Sequence, residues 1–323
     1  MRTLVTGGAG FIGSTLVDRL LAEGHPVDVV DDLSTGSLTN LAEARANSQA
    51  HFSFHQLDVR SEQLVELISK RRPEVIFHLA AQADVRVSVE RPVFDAEVNI
   101  LGTLQVLEGS RQADVSKVVF AASGGTLYGA PDVSRLPIVE SHPQQPLSPY
   151  GVSKKVAIDY LTAYRTLHGV RYCALALGNV YGPRQDPHGE AGVVAIFAGA
   201  LLKGDPVTIY GDGDQTRDFI YVDDVVDAFV RAADRGDGMT INVGTGLETS
   251  VNELFNTMSR LAGASAPPTR APARPGELLR SALDPARAAV QLGWRSWTTL
   301  EEGTRAVLEH VGDGDAPKGK HSR

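Results

Sequence analysis

The run Thr3-Leu4-Val5-Thr6-Gly7-Gly8-Ala9-Gly10-Phe11-Ile12-Gly13 constrains this chain more than any other stretch. A short apolar segment ends in a cluster of glycines, and helical spacing begins at once through Leu16, Val17, Leu20 and Leu21. Strand, glycine turn and helix in that order are the context in which a polypeptide holds a dinucleotide pyrophosphate. Glycines let the backbone turn tightly and approach the phosphates with no β-carbon in the way. Unpaired N–H groups at the helix start then face the negative charge. Gly7, Gly10, Phe11, Ile12 and Gly13 are therefore the first candidate cofactor contacts.

The next apolar run, Val27-Asp28-Val29-Val30, ends in Asp31-Asp32. An acidic side chain at the end of the second strand accepts from the adenosine ribose hydroxyls. Its charge repels a 2′-phosphate, so Asp31 points to NAD rather than NADP, with Asp32 beside it. Asp58 and Val59 follow a third run and are candidates for the adenine edge, with a helix cap as the alternative for Asp58. Leu79-Ala80-Ala81 close a fourth run with small residues that leave room for cofactor ribose and phosphate. Asn99 is polar within an apolar helical stretch and needs buried partners.

Up to Phe120 the pattern predicts strands at 2–6, 26–31, 51–55, 74–78 and 117–122 and helices near 12–23, 37–45, 61–71 and 92–112. Strands spaced by helices imply right-handed crossovers and a doubly wound parallel sheet, an α/β Rossmann-type fold. Residues 1–170 form the expected NAD-binding domain, with segments near 171–184 and 218–245 returning to it. Residues 185–311 form a smaller C-terminal α/β part that binds substrate. The polar stretch 312–323 has little to bury and is expected to be a disordered tail.

The chain has 323 residues and a formal charge of −8, which disfavours a nucleic-acid partner. No apolar window reaches the length of a membrane span, so the expected location is the cytoplasm, with no membrane partner. The single cysteine, Cys173, reads as a buried structural thiol. No metal is expected: Asp223-Asp224 read as caps of a helix at 224–234, and His188 as a solvated loop residue.

The chemistry is concentrated in Ala122-Ser123-Gly124-Gly125-Thr126, a hydroxyl loop after the fifth strand, and in Tyr150-Gly151-Val152-Ser153-Lys154. Tyr150 and Lys154 are four apart, so a helix projects both from one face. An ammonium beside a phenol lowers the phenol pKa toward neutrality and makes it a general base and acid.

Together the glycine turn, Asp31, Asn99, the hydroxyl loop and Tyr150-x-x-x-Lys154 resemble the extended short-chain dehydrogenase/reductase superfamily. Within it the chain is similar to the UDP-glucose 4-epimerase-like family, over roughly residues 1–310. The resemblance implies NAD-dependent 4-epimerisation of a UDP-hexose through a 4-keto sugar, with Tyr150 as the base and Lys154 as its partner on the nicotinamide ribose. It places the family's usual catalytic hydroxyl on Gly124, so Ser123 and Thr126 become the candidates, Thr126 first. A second departure is Ala176-Leu177 before Gly178-Asn179, where an arginine and an aromatic are common. For substrate it implies Asn179, Arg217 and Arg274 around the diphosphate, Thr208 and Tyr210 at the uracil, Glu277 at the uridine ribose, and Val193 among the substrate contacts. Small Ser281 falls at a gate against bulky sugars, which implies room for an N-acetyl group. A homodimer is implied through helices near 92–112 and 150–168. Alternatives within the family are a UDP-glucuronate 4-epimerase or decarboxylase, with Arg86 and Arg184 as carboxylate donors, and a 4,6-dehydratase. A non-catalytic NAD-sensing regulator is the alternative of a different class.

Overall fold

The computed structural model describes residues 1–47, 51–187, 192–274 and 278–315. It begins with β1 (Thr3–Thr6), α1 (Phe11–Ala22), β2 (Val27–Asp31), a 3-10 turn running into α2 (Ala42–Ala46), β3 (Phe52–Gln56), α3 (Gln63–Arg71) and β4 (Val75–His78). Then come α4 (Val85–Glu90), α5 (Pro92–Ala96), a π-helical turn (Glu97–Leu101), α6 (Gly102–Gln112) and β5 (Lys117–Ser123). A single turn, α7 (Gly124–Leu127), and the long α8 (Pro149–His168) lead to β6 (Tyr172–Leu177) and β7 (Asn179–Tyr181). The rest comprises α9 (Val193–Lys203), β8 (Thr208–Tyr210), β9 (Thr216–Arg217), β10 (Phe219–Tyr221), α10 (Val222–Ala232) and β11 (Met239–Val243). Last are β12 (Thr249–Ser250), α11 (Val251–Ala262), β13 (Thr269–Ala271), α12 (Ala286–Gln291) and α13 (Leu300–Asp315).

The central sheet has seven parallel strands in the order β11-β6-β5-β4-β1-β2-β3. The order reverses at β1 and β4, so the crevice outside their carboxyl ends is the place where such a sheet takes a ligand. The sequence explains the layering. Successive strand residues point to opposite faces, and the buried pairs divide accordingly. Val5, Val29, Phe77 and Val119 face a layer containing α1 and α10. Leu4, Val30, Ile76 and Val118 face the layer of α3, α6 and α8. Burying each such side chain contributes about 1.5–3 kcal/mol. A third apolar cluster gathers Phe197, Leu254, Met258 and Val307 from α9, α11 and α13. Beside it lies a small parallel pair, β8 with β13.

Three expectations need correction. The helix near 92–112 is preceded by a separate α4 and broken by the π-helical turn. Asp223 and Asp224 do not cap a helix: α10 starts at Val222 after Tyr221. Asp224 instead accepts from the Trp297 and Thr298 amides, both at 3.1 Å, and from the Thr298 hydroxyl at 2.8 Å. The tail expected from 312 is still helical to Asp315, and 316–323 lie outside the described residues. His188 and Glu277 also lie outside them.

Candidate active site

The glycine turn follows β1 directly. Gly7 has φ +70°, and a β-carbon on it would lie 2.7 Å from the amide nitrogen of Ala80. Thus the first turn is closed against the loop after β4, the Leu79-Ala80-Ala81 segment. A β-carbon on Gly13 would overlap the Gly7 carbonyl, whereas one on Gly10 would meet, among the described residues, only that carbonyl at 3.3 Å. The turn is closed below and open above Gly10. Gly10 precedes α1 and offers no capping side chain, and no acidic residue stands in the first turn. The amides at Phe11, Ile12 and Gly13 are left for an anion.

Asp31 ends β2 and is 7% exposed. Its Oδ2 accepts from Ala9 N at 2.9 Å and its Oδ1 from Leu33 N at 2.8 Å. Burial raises its pKa against those two hydrogen bonds. Each oxygen keeps a lone pair, enough for two ribose hydroxyls. Asp32 is exposed and accepts from the Ser34 amide and hydroxyl. Asp58 accepts from the Arg60 amide at 2.8 Å, and its carboxylate faces the Arg60 guanidinium. It does not cap α3, whose cap position is Glu62. Val59 is buried, and a β-carbon on Gly102 of α6 would lie 2.8 Å from it.

Tyr150 and Lys154 lie in the first turns of α8, which Ser148 caps by accepting from Gly151 N at 3.1 Å, with Pro149 leading. The two side chains differ sharply. Tyr150 is half-buried, while Lys154 is 2% exposed. The Lys154 ammonium donates to Ala121 O at 2.9 Å and lies 4.8 Å from the Phe120 ring centre and 5.7 Å from that of Tyr150. Burial pushes its pKa down to about 8, opposed by the negative charge of Asp95. An ammonium so poorly solvated acts strongly on a nearby phenol.

Ser123 ends β5 and leads into α7, where Thr126 lies under the start of α8. The Thr126 hydroxyl oxygen is buried and has no hydrogen-bond partner among the described residues. Gly124 sits between them. A β-carbon there would overlap the side chain of Leu283 and lie 3.1 Å from Leu177 O. The segment carrying Leu283 is fixed by Ile138 N donating to Ala282 O at 2.8 Å and Asp284 N donating to Ile138 O at 2.8 Å.

Asn99 is 2% exposed in the π-helical turn. Its Oδ1 accepts from Gln82 N at 2.9 Å, and its Nδ2 lies within donating distance of Gln82 O at 2.9 Å, Asp95 Oδ1 at 2.9 Å and Ser153 Oγ at 3.3 Å. It ties the loop after β4 to α8. Behind it the buried His78 is pushed down to about 3 by burial and the Lys154 charge, so its ring is neutral. Thr103 donates to Asn99 O at 2.7 Å, so its oxygen accepts from His78 Nε2–H at 3.1 Å and leaves Nδ1 to accept from Thr6 at 2.7 Å.

The expected substrate residues are more scattered. Asn179 opens β7 beside β10, its amide donating to Asp218 O at 2.7 Å. Val193 is the first residue of α9. Thr208 and Tyr210 bound β8, and the Arg274 guanidinium stacks 4.1 Å above the Tyr210 ring. Arg217 Nη1 donates to Thr216 O and Leu278 O. Ser281 is 4% exposed, in the segment next to Leu283. Arg184 bonds Asp18 at 2.7 Å and Arg86 bonds Asp84 at 2.8 Å, so both proposed carboxylate donors face acidic partners of their own. Cys173 is fully buried and its thiol is pushed up to about 12 by burial. Among the described residues no group of three metal-ligating side chains gathers. Sequence reasoning missed Asp95, Ser153 and Leu283. Asp95 stands four before Asn99, a spacing that puts both on one helix face, and that was the available signal.

The family model of the NAD dependent epimerase/dehydratase family matches residues 3–244. A UDP-glucose 4-epimerase of Mycolicibacterium smegmatis is 51% identical over 96% of this chain and 98% of its own length. A solved UDP-glucose 4-epimerase from Thermotoga maritima, with UDP-glucose, superposes with TM-score 0.93 at 43% identity over 97% of this chain and 99% of its own. The Thermus thermophilus UDP-glucose 4-epimerase in complex with NAD gives TM-score 0.89 at 44% identity over 96% and 99% of the two chains.

Proposed function

Because the chain belongs to the NAD dependent epimerase/dehydratase family, we propose that it interconverts UDP-glucose and UDP-galactose at carbon 4, with NAD as a resident group. The observation that carries the reading is the pair on α8: a half-buried Tyr150 beside a Lys154 that is 2% exposed.

NAD fits the residues present. The backbone above Gly10 is open, the α1 amides are uncapped, and Asp31 offers two carboxylate oxygens with lone pairs to spare. Gly7, Gly10, Phe11, Ile12 and Gly13 would hold the pyrophosphate, and Asp31 with Asp32 the adenosine ribose. Asp58 and Val59 would meet the adenine, and Leu79, Ala80, Ala81 and Asn99 would border the path to the nicotinamide. When bound, NAD supplies the acceptor and donor of the hydride at carbon 4.

Tyr150, as phenolate, takes the proton of the sugar 4-hydroxyl and later returns it. Lys154 keeps that phenolate accessible near neutral pH by its adjacent positive charge. Thr126 donates its otherwise unpartnered hydroxyl to the 4-oxygen and steadies it as the proton leaves, with Ser123 as the neighbouring hydroxyl. Arg217, Arg274 and Asn179 hold the diphosphate, Val193 begins the helix beside it, and Thr208 and Tyr210 border the uracil. Anchoring at the diphosphate leaves the keto sugar free to turn and present its other face. In this reading residues 1–170, with the later strands of the central sheet, form the cofactor part and 185–311 the substrate part.

The acidic partners of Arg86 and Arg184 favour a neutral hexose over a 6-carboxylate sugar. Small Ser281 favours acceptance of the N-acetyl sugars as well. Val89, Val93, Leu101 and Val152 are apolar and between 46% and 70% exposed on the helical face of α4, α5, the π-helical turn and α8. A second copy of this chain covering that face gives a homodimer. We place the enzyme in the cytoplasm; among the described residues no helix is long and apolar enough to cross a membrane.

Incubating purified protein with UDP-glucose, UDP-N-acetylglucosamine and UDP-glucuronate, without added NAD, tests the reading by product chromatography. UDP-galactose is expected from the first. Turnover of UDP-glucuronate alone would sink it.

A further inference from the structure

Asp95 is 1% exposed at the end of α5, and no step above uses it. Its Oδ1 accepts from Asn99 Nδ2 at 2.9 Å and Gln82 Nε2 at 3.1 Å, while its Oδ2 is buried without a hydrogen-bond partner among the described residues. A carboxylate taken out of water with half its acceptors idle is costly unless a positive charge compensates it. Lys154 has the reciprocal problem: its ammonium is buried and, among the described residues, its hydrogen bond goes to Ala121 O.

The charged groups around Asp95 leave Lys154 as the compensating one. On the neighbouring loop Asp84 is held by Arg86. On the π-helical turn Glu97 faces Arg60 at 3.5 Å. Arg91, just before α5, stacks 4.4 Å over the Phe94 ring. His78 on β4 is neutral. From α8 come Tyr150 and Lys154. Burial raises the Asp95 pKa; the Ser153 hydroxyl opposes that most, and the Lys154 charge, the positive one among the groups opposing it, acts on Asp95 as the Asp95 charge acts on Lys154. A polar bridge joins the two sides. Asn99 Nδ2 reaches both Asp95 Oδ1 and Ser153 Oγ, and Ser153 donates to Tyr150 O at 2.9 Å.

We propose that Asp95 is the buried counter-ion of Lys154, a positioning residue that keeps the lysine charged and, through Asn99 and Ser153, fixes the turn of α8 carrying Tyr150. The π-helical turn is what brings Asn99 between them; such turns occur frequently at functional sites. Burial alone would strip the ammonium of its proton within the working range of pH. Asp95 opposes that without touching the phenol or the sugar, so it tunes the base rather than acting on substrate. This rests on the proposed role of Tyr150 and Lys154.

The test is the pH profile of turnover for Asp95→Asn, an isosteric change, beside the wild type. We expect the alkaline limb to move to lower pH by about one unit, a tenfold loss of kcat on that side, with KM for the UDP-sugar altered less than about twofold. Loss of activity by the same factor at every pH, or an unmoved limb, overturns the proposal. Should Asp95→Asn fail to fold, the wild type decides: the Lys154 side-chain NMR resonance, assigned with Lys154→Arg, is expected to show a charged amine at pH 7, and a neutral one overturns the proposal. A wild type inactive on every UDP-sugar would instead reject the epimerase reading.

Discussion

Leu283 occupies the space that a side chain on Gly124 would need. The two are far apart in sequence, yet a β-carbon at 124 would overlap the leucine methyls. The loop after β5 is therefore shaped by a residue far along the chain, and a hydroxyl-bearing side chain at position 124 has no room here.

Gly124→Ser is accordingly expected to destabilise the protein by about 1–3 kcal/mol through overpacking. Urea unfolding measures it. Combining it with Leu283→Ala should recover part of the loss, and a double-mutant cycle with no coupling would reject the contact.

Thr126→Val removes the orphan hydroxyl and keeps the shape. Turnover is expected to fall about 100-fold or more, the usual scale for a lost proton-transfer or oxyanion partner. Stability should hold or rise, since a buried unpaired polar atom disappears. If Ser123→Ala shows the kinetic loss and Thr126→Val does not, the two roles are exchanged.

Lys154 makes activity and stability respond oppositely to alkali. Its folded pKa of about 8 lies below the unfolded value near 10.5. Between those values the unfolded chain binds the extra proton, so this group's contribution to stability rises with pH. Turnover falls over the same window as the ammonium is lost. The stability difference between wild type and Lys154→Met, followed by denaturant titration from pH 7.5 to about 10.5, should shift in favour of the wild type. A flat difference would mean an unshifted lysine.

Asp31→Ala frees the amides of Ala9 and Leu33 as well as removing the proposed ribose contact. Bound NAD is expected to leave on gel filtration, with affinity down by about tenfold or more, the scale of a lost charge-assisted hydrogen bond. Added NAD should restore turnover. Retention of a full complement of NAD would contradict the role given to Asp31.

The front half of the molecule was legible because its signals are local. β1 to β5 fall within two residues of their expected positions, since apolar runs bounded by polar turns specify strands in a parallel sheet. The Tyr150 to Lys154 spacing needs only a helix. What escaped was set at long range. Asp224 looks like a cap by its place before an apolar run, but its acceptors are taken by Trp297 and Thr298. Asp95 reads as an ordinary helix residue until the fold lays α8 beside it. The closure of Leu283 over Gly124 has no sequence periodicity at all. The helix to Asp315 overrides weak local propensity, because Val307 and Leu308 are buried against the third cluster.

The segment 281–284 clips onto Ile138 and covers Gly124. During synthesis the ribosome makes the glycine turn, Tyr150 and Lys154 long before residues 281–284. The loop at Gly124 therefore gains its Leu283 cover only when that late stretch has emerged and docked on Ile138.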